Sequence, residues 1–96
     1  MNQEKEKKYT TYLSPQIRYD DSLIAKSKIL FSEILHFSNQ NNGYCPFDIK
    51  LFQEKLGVSQ SNIRFLIRDL VREHYITIEK DEKTGEKVIF VTEKGK

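Results

Sequence analysis

Phe52-Gln53-Glu54-Lys55-Leu56-Gly57-Val58-Ser59-Gln60-Ser61-Asn62-Ile63-Arg64-Phe65-Leu66-Ile67-Arg68-Asp69-Leu70 is the stretch whose reading decides the fold. Phe52 and Leu56 lie four residues apart and so share one face of a helix. Gly57 ends that helix, because glycine enters the left-handed region without steric cost. Val58 plugs the gap between helices, and the Ser59 hydroxyl caps the next one. Ile63, Leu66, Ile67 and Leu70 recur at spacings of three and four and define the core face of that second helix. A short helix, a tight turn and a second amphipathic helix make a helix-turn-helix, in which the first helix braces the second at a fixed angle.

Working upstream, Asp48 is placed to cap the first motif helix, with Ile49, Phe52 and Leu56 inward. Tyr44-Cys45-Pro46-Phe47 predicts a minor strand. Before it, Leu23 to Phe37 predicts a long helix that is apolar around much of its circumference, the mark of a buried central element. Asp20-Asp21-Ser22 is expected to cap it, and Asn39-Gln40-Asn41-Asn42-Gly43 to end it. Ser14-Pro15 reads as the start of one further short turn of helix. Downstream, the second motif helix is expected to run to about His74. The period then changes from helical to alternating. Tyr75 to Glu79 and Lys87 to Val91 are rich in strand formers, and the connection between them contains Gly85. They predict a β-hairpin with its tip near Asp81–Glu86. The expected fold is therefore α+β, mainly α: a winged helix-turn-helix of three main helices plus a C-terminal β-hairpin wing. A flexible tail is expected over residues 1–10, the winged domain over 11–93, and a frayed end or linker start over 94–96.

A chain of 96 residues, 38% hydrophobic, suits one domain with one modest core. It holds no apolar run near the roughly 20 residues that a bilayer requires, and its polar start is no secretory signal. Cys45 is the lone cysteine, so no internal disulfide forms, and a cytoplasmic setting is expected. Net charge is 16 − 14 = +2, which permits a nucleic-acid partner without arguing for one. The placement of charge matters more than its sum.

That placement is uneven. The second helix of a helix-turn-helix lies in the major groove of DNA. On a projection of that helix, Ser61, Phe65, Arg68 and Arg72 lie opposite the core face, with Arg64 on the flank. Ser59, Gln60, Ser61 and Asn62 form its first turn, where backbone amides and the helix dipole favour a phosphate. Arg64 and Arg68 suit base and phosphate contacts, since arginine can be bidentate to guanine. Arg72 has two readings, a DNA contact or an ion pair with Asp69 or Glu73. Phe65 also has two: contact with a thymine methyl or sugar, or the seed of a protein interface. Lys83 and Lys87 are candidate phosphate contacts on the wing, against the alternative of a solvated turn, because Asp81, Glu82 and Glu86 accompany them. His36, His74 and Cys45 lack metal-ligand spacing and read as core or boundary residues. No phosphate loop, nucleophile elbow or paired catalytic carboxylates are present, so neither an enzyme nor a cofactor is expected.

Several short motifs recur in a telling order. They are Arg18-Tyr19-Asp20, Leu23, Lys28-Ile29-Leu30-Phe31, Glu33-Ile34, Asn42-Gly43-Tyr44-Cys45, Leu56-Gly57-Val58-Ser59, then Ile67, Leu70, Tyr75 and Ile76. Together they resemble the N-terminal helix-turn-helix domain of phage and plasmid replication initiators, the replisome organisers of Gram-positive bacteria. The resemblance spans roughly residues 12–92. It implies a winged helix related to the DnaD-type N-terminal domain. It also implies double-stranded origin or operator DNA as ligand, self-association as a homodimer, and replication proteins such as a helicase loader as partners. The chain departs from the family at Gln53, where a small residue is usual, and at Phe65, where a polar or basic one is. Two functional classes follow: sequence-specific DNA binding, in replication initiation or as a phage-type transcriptional regulator, and a winged-helix module for protein interaction or dimerization.

Overall fold

In the computed structural model, which describes residues 13–96, seven elements follow one another. They are α1 (Pro15–Arg18), α2 (Ala25–Gln40), β1 (Cys45–Pro46), α3 (Ile49–Leu56), α4 (Gln60–Arg72), β2 (Ile76–Lys80) and β3 (Lys87–Val91). The chain is a winged helix. α3 and α4 are the helix-turn-helix, and β2 and β3 the wing. The expected tail over residues 1–10 lies outside the described residues.

α2 is the centre of the domain and touches α3, α4, β1 and β3. Ser27, Leu30, Phe31, Ile34 and Ser38 recur every three or four residues, so they form the stripe it buries. The helix is shifted from its expected bounds. It starts at Ala25, not Leu23, and its N-cap, Ile24, offers no side-chain bond. The expected cap is engaged elsewhere: the Asp20 carboxylate accepts from the Ser22 N–H at 2.8 Å and from the Tyr75 hydroxyl at 2.5 Å. α2 also continues three residues past Phe37, to Gln40. Asn42 then takes φ 60°, and the Gly43 N–H reaches back to the Ser38 carbonyl at 2.9 Å.

α4 ends by the same device. It stops at Arg72, before the expected His74, because His74 turns left-handed with φ 67°. The His74 N–H bonds the Val71 carbonyl and the Tyr75 N–H the Leu70 carbonyl, a Schellman closure that satisfies two orphan carbonyls and sends the chain into β2.

The motif itself forms as its sequence dictates. Asp48 accepts from the Leu51 N–H at 3.1 Å, Gly57 takes φ 68°, and Ser59 accepts from the Asn62 N–H at 3.2 Å. Phe52, Ile63 and Leu70 are fully buried, and Val58 packs against the same core from the turn.

The sheet has order β1-β3-β2, all antiparallel. Its register aligns Cys45, Ile89 and Ile78 in one row. Alternation then places Glu79, Val88 and Pro46, and Thr77 with Phe90, on the opposite face. The wing turn is organised by Asp81, whose carboxylate accepts from the Lys83 N–H at 2.8 Å.

The end expected to fray over 94–96 is held instead. Thr92 Oγ1 donates to the His74 carbonyl at 2.6 Å, and Lys94 Nζ donates to the Glu73 carbonyl at 2.7 Å. Lys94 Nζ also stands 4.4 Å above the Tyr75 ring. Gly95 is buried, and a Cβ there would come within 2.8 Å of both the Phe31 ring and the Tyr75 carbonyl. Only glycine permits this approach.

Candidate functional site

The outward face of α4 presents two exposed arginines, Arg64 and Arg68. Ser61, Arg64, Phe65 and Arg68 are exposed along it, and Gln60 and Asn62 are exposed at its first turn. Ser59 is committed to the cap, and its hydroxyl also lies 3.2 Å from that of Ser61.

The back of α4 is tied down by a polar contact. Asp69 is 3% exposed and accepts from the Ser27 hydroxyl on α2 at 2.8 Å. Arg72 pairs with the same carboxylate and also donates to Glu73 at 3.2 Å. Glu73 and Asp69 together hold its guanidinium in the charged form. Of the two readings of Arg72, the ion pair is the one the structure contains. Arg64 and Arg68 differ: among the described residues neither has an ion-pair or hydrogen-bond partner.

Between α4 and the sheet runs a groove of about 290 Å³, lined by Phe47, Arg64, Ile67, Arg68, Val71 and Ile78. It brings Arg64 and Arg68 together, and no carboxylate lines it. Lys83 and Lys87 are not part of it. Lys83 is exposed at the wing tip, and Lys87 Nζ lies 5.3 Å from the Phe47 ring centroid. Lys87 lines a separate depression of about 470 Å³ on the other side of the sheet, whose floor is Tyr44, Val88 and Phe90. Glu79, Asp81 and Glu86 line that depression too, so the wing is far less cationic than α4.

Phe65 is 48% exposed, as its register requires. Cys45 is buried, and burial, assisted by the nearby Asp48 charge, pushes its thiol up to about 12. It is a core residue and not a nucleophile. Among the described residues, no group of three or more His, Cys, Asp or Glu side chains could hold a metal ion. No helix among them is long and apolar enough to cross a membrane.

Sequence reasoning missed two things here. The sequence pattern does not mark Val71, Phe47 and Ile78 as groove walls, although Val71 stands seven residues after Arg64 and three after Arg68. An apolar residue on an otherwise polar helical face was the available signal. Spacing offers Asp69 as an ion-pair partner of Arg72 but gives no sign of its burial, which depends on Ser27, 42 residues away.

The sequence matches no known protein family and no curated protein. Among solved structures, one described as "N-Terminal domain of DNA binding protein" is similar, with a TM-score of 0.72 and 12% identity. The likeness covers 97% of this chain and 81% of that one. At this identity it shows a shared fold.

Proposed function

We propose that this chain binds double-stranded DNA in a sequence-specific way, with α4 in the major groove, and serves the initiation of phage or plasmid replication. The observation that carries the reading is the pair Arg64 and Arg68, exposed on the outward face of α4 and free of any protein partner among the described residues. A guanidinium left without a carboxylate is available to a base edge or a phosphate. The same fold in a domain of a DNA-binding protein supports the reading, and so does the motif resemblance to replication initiators. The wing contributes little, because Asp81, Glu82 and Glu86 oppose a phosphate backbone.

Selection of bound duplexes from a random pool, followed by fluorescence-polarization titration, tests this. The expected result is one enriched motif, bound at least about a thousandfold more tightly than random duplex, with affinity falling as salt rises. Binding that is indifferent to sequence would exclude the specific reading. A role in transcription uses the same contact, and genomic neighbourhood separates the two: a helicase-loader gene next to this one favours replication.

Phe65 supports a second reading, a protein-interaction or dimerization module, because it leaves an aromatic ring 48% exposed on the helix and aromatic side chains are enriched in protein interfaces. Loss of self-association in Phe65→Ala, with DNA affinity intact, would favour it.

A further inference from the structure

The groove beside α4 has walls that nucleic acid alone does not account for. Arg64, Arg68 and Val71 stand at i, i+4 and i+7, a row about 10 Å long down one side of the helix. Val71 is 36% exposed at the end of that row. Across from it, Phe47 and Ile78 are only partly buried, and Ile67 lies between. Apart from the two arginines, every lining side chain is apolar. A phosphodiester backbone offers little for such a surface to cover, since most DNA contacts are polar. The depression across the sheet makes the contrast plain, because it carries Glu79, Asp81 and Glu86. Two unpaired cations over an apolar floor match a ligand with carboxylates and apolar side chains interleaved.

We propose that this groove docks an acidic amphipathic protein segment, which competes with DNA for Arg64 and Arg68. The docking stands on the groove alone, whereas the competition rests on the DNA-binding reading above. Such a partner would release the protein from DNA by occupying the charges that hold it there.

The probe is a fluorescein-labelled synthetic peptide of about 16 residues in which Glu interleaves with Leu and Phe, long enough to follow the row. Its control replaces every Leu and Phe by Ser at the same charge. The full chain should bind the amphipathic peptide at least about tenfold more tightly than the control, and the selected duplex should displace it. Val71→Ser should weaken the peptide about fivefold and leave duplex affinity within about twofold, and Val71→Ile should restore peptide binding. Arg68→Ala should weaken both ligands. Equal binding of the two peptides, or a peptide indifferent to Val71→Ser, would overturn the docking. Peptide and duplex bound together would overturn the competition. Peptide binding that depends on Val71, with no duplex bound, would support the docking and reject the DNA-binding reading instead.

Discussion

On its inward side α4 leaves nothing unmatched. Ile63, Leu66, Ile67 and Leu70 enter the core, and the buried Asp69 is bonded by Ser27 and paired with Arg72. On its outward side the same helix leaves Arg64 and Arg68 unpaired and Phe65 48% exposed. Arg72 marks the border: a helical projection turns it outward, yet its guanidinium bends back to Asp69 and Glu73. The difference teaches that folding draws on one side of a single 13-residue helix and leaves unused, on the other side, the residues on which the proposed DNA contact rests. Substitutions on one side should therefore change stability and leave binding chemistry intact, and those on the other side the reverse.

The largest expected effect lies on the inward side. Leu70 is fully buried, so Leu70→Ala removes packed atoms and leaves a cavity. Urea unfolding should show a loss of about 3 kcal/mol. A loss below about 1 kcal/mol would mean that the inward face is not the core of the fold. Asp69→Ala comes next, at about 2 kcal/mol, because it strands the buried Ser27 hydroxyl and releases Arg72. Asp69→Asn should recover part of that loss by keeping a bond to Ser27. If Asp69→Ala instead leaves stability unchanged, the Ser27 contact contributes nothing and the comparison fails at its polar centre.

Tyr75→Phe probes the lock beneath α4 and should cost about 1 kcal/mol near neutral pH. Its effect depends on pH, because both partners of the bond titrate. The Tyr75 hydroxyl bond, with help from the Ser22 N–H, lowers the Asp20 carboxyl below its usual 3.8. A depressed acid stabilises the fold above that value and loses its contribution as pH falls through the folded-state value. Burial, and then the Asp20 carboxylate, raise the Tyr75 phenol above its usual 10.0. A raised group stabilises the fold below that value and loses its contribution as pH climbs past it. The gap between wild type and Tyr75→Phe should thus be widest at intermediate pH and narrow on both flanks. A gap constant from pH 3 to pH 11 would show that the bond does not titrate with the fold.

This lock also shows how far the sequence could be read. Spacing alone revealed the motif, both of its caps and the wing, because these are set within a few residues of each other: Asp48 and Leu51, Ser59 and Asn62, the alternation in β2 and β3. Contacts across long sequence separations were not legible. Local spacing points Asp20 to the nearest helix end, yet it serves Tyr75, 55 residues on. Two of the motifs that carried the family resemblance, Arg18-Tyr19-Asp20 and Tyr75-Ile76, meet through that bond. Within the first of them, Arg18 donates to the Leu13 carbonyl and its own carbonyl accepts from Lys28. These bonds make them parts of the scaffold. The candidate site is legible only in part: Arg64 and Arg68 stand out by projection and the ion pair of Arg72 is one of two readings, while the choice between those readings and the groove walls Phe47 and Ile78 require the fold.

The smallest expected effect on stability belongs to Arg68→Ala, within about 0.5 kcal/mol of wild type, because the side chain is exposed and contacts no partner. Its effect on DNA separates two roles that the helix surface leaves equal. If Arg68 reads a guanine, the substitution should cost about 1–3 kcal/mol of affinity for the selected duplex and relax preference at one position. If it holds a phosphate, affinity should fall evenly across sequences and the slope of log affinity against log salt should drop by about 1. Arg72→Ala is the matched control, since Asp69 and Glu73 already occupy its guanidinium. It should lower stability more than Arg68→Ala does and DNA affinity less. The opposite order would mean that Arg72 leaves its carboxylates on binding, and the outward binding side of α4 would then reach one helical turn further along the helix than Arg68.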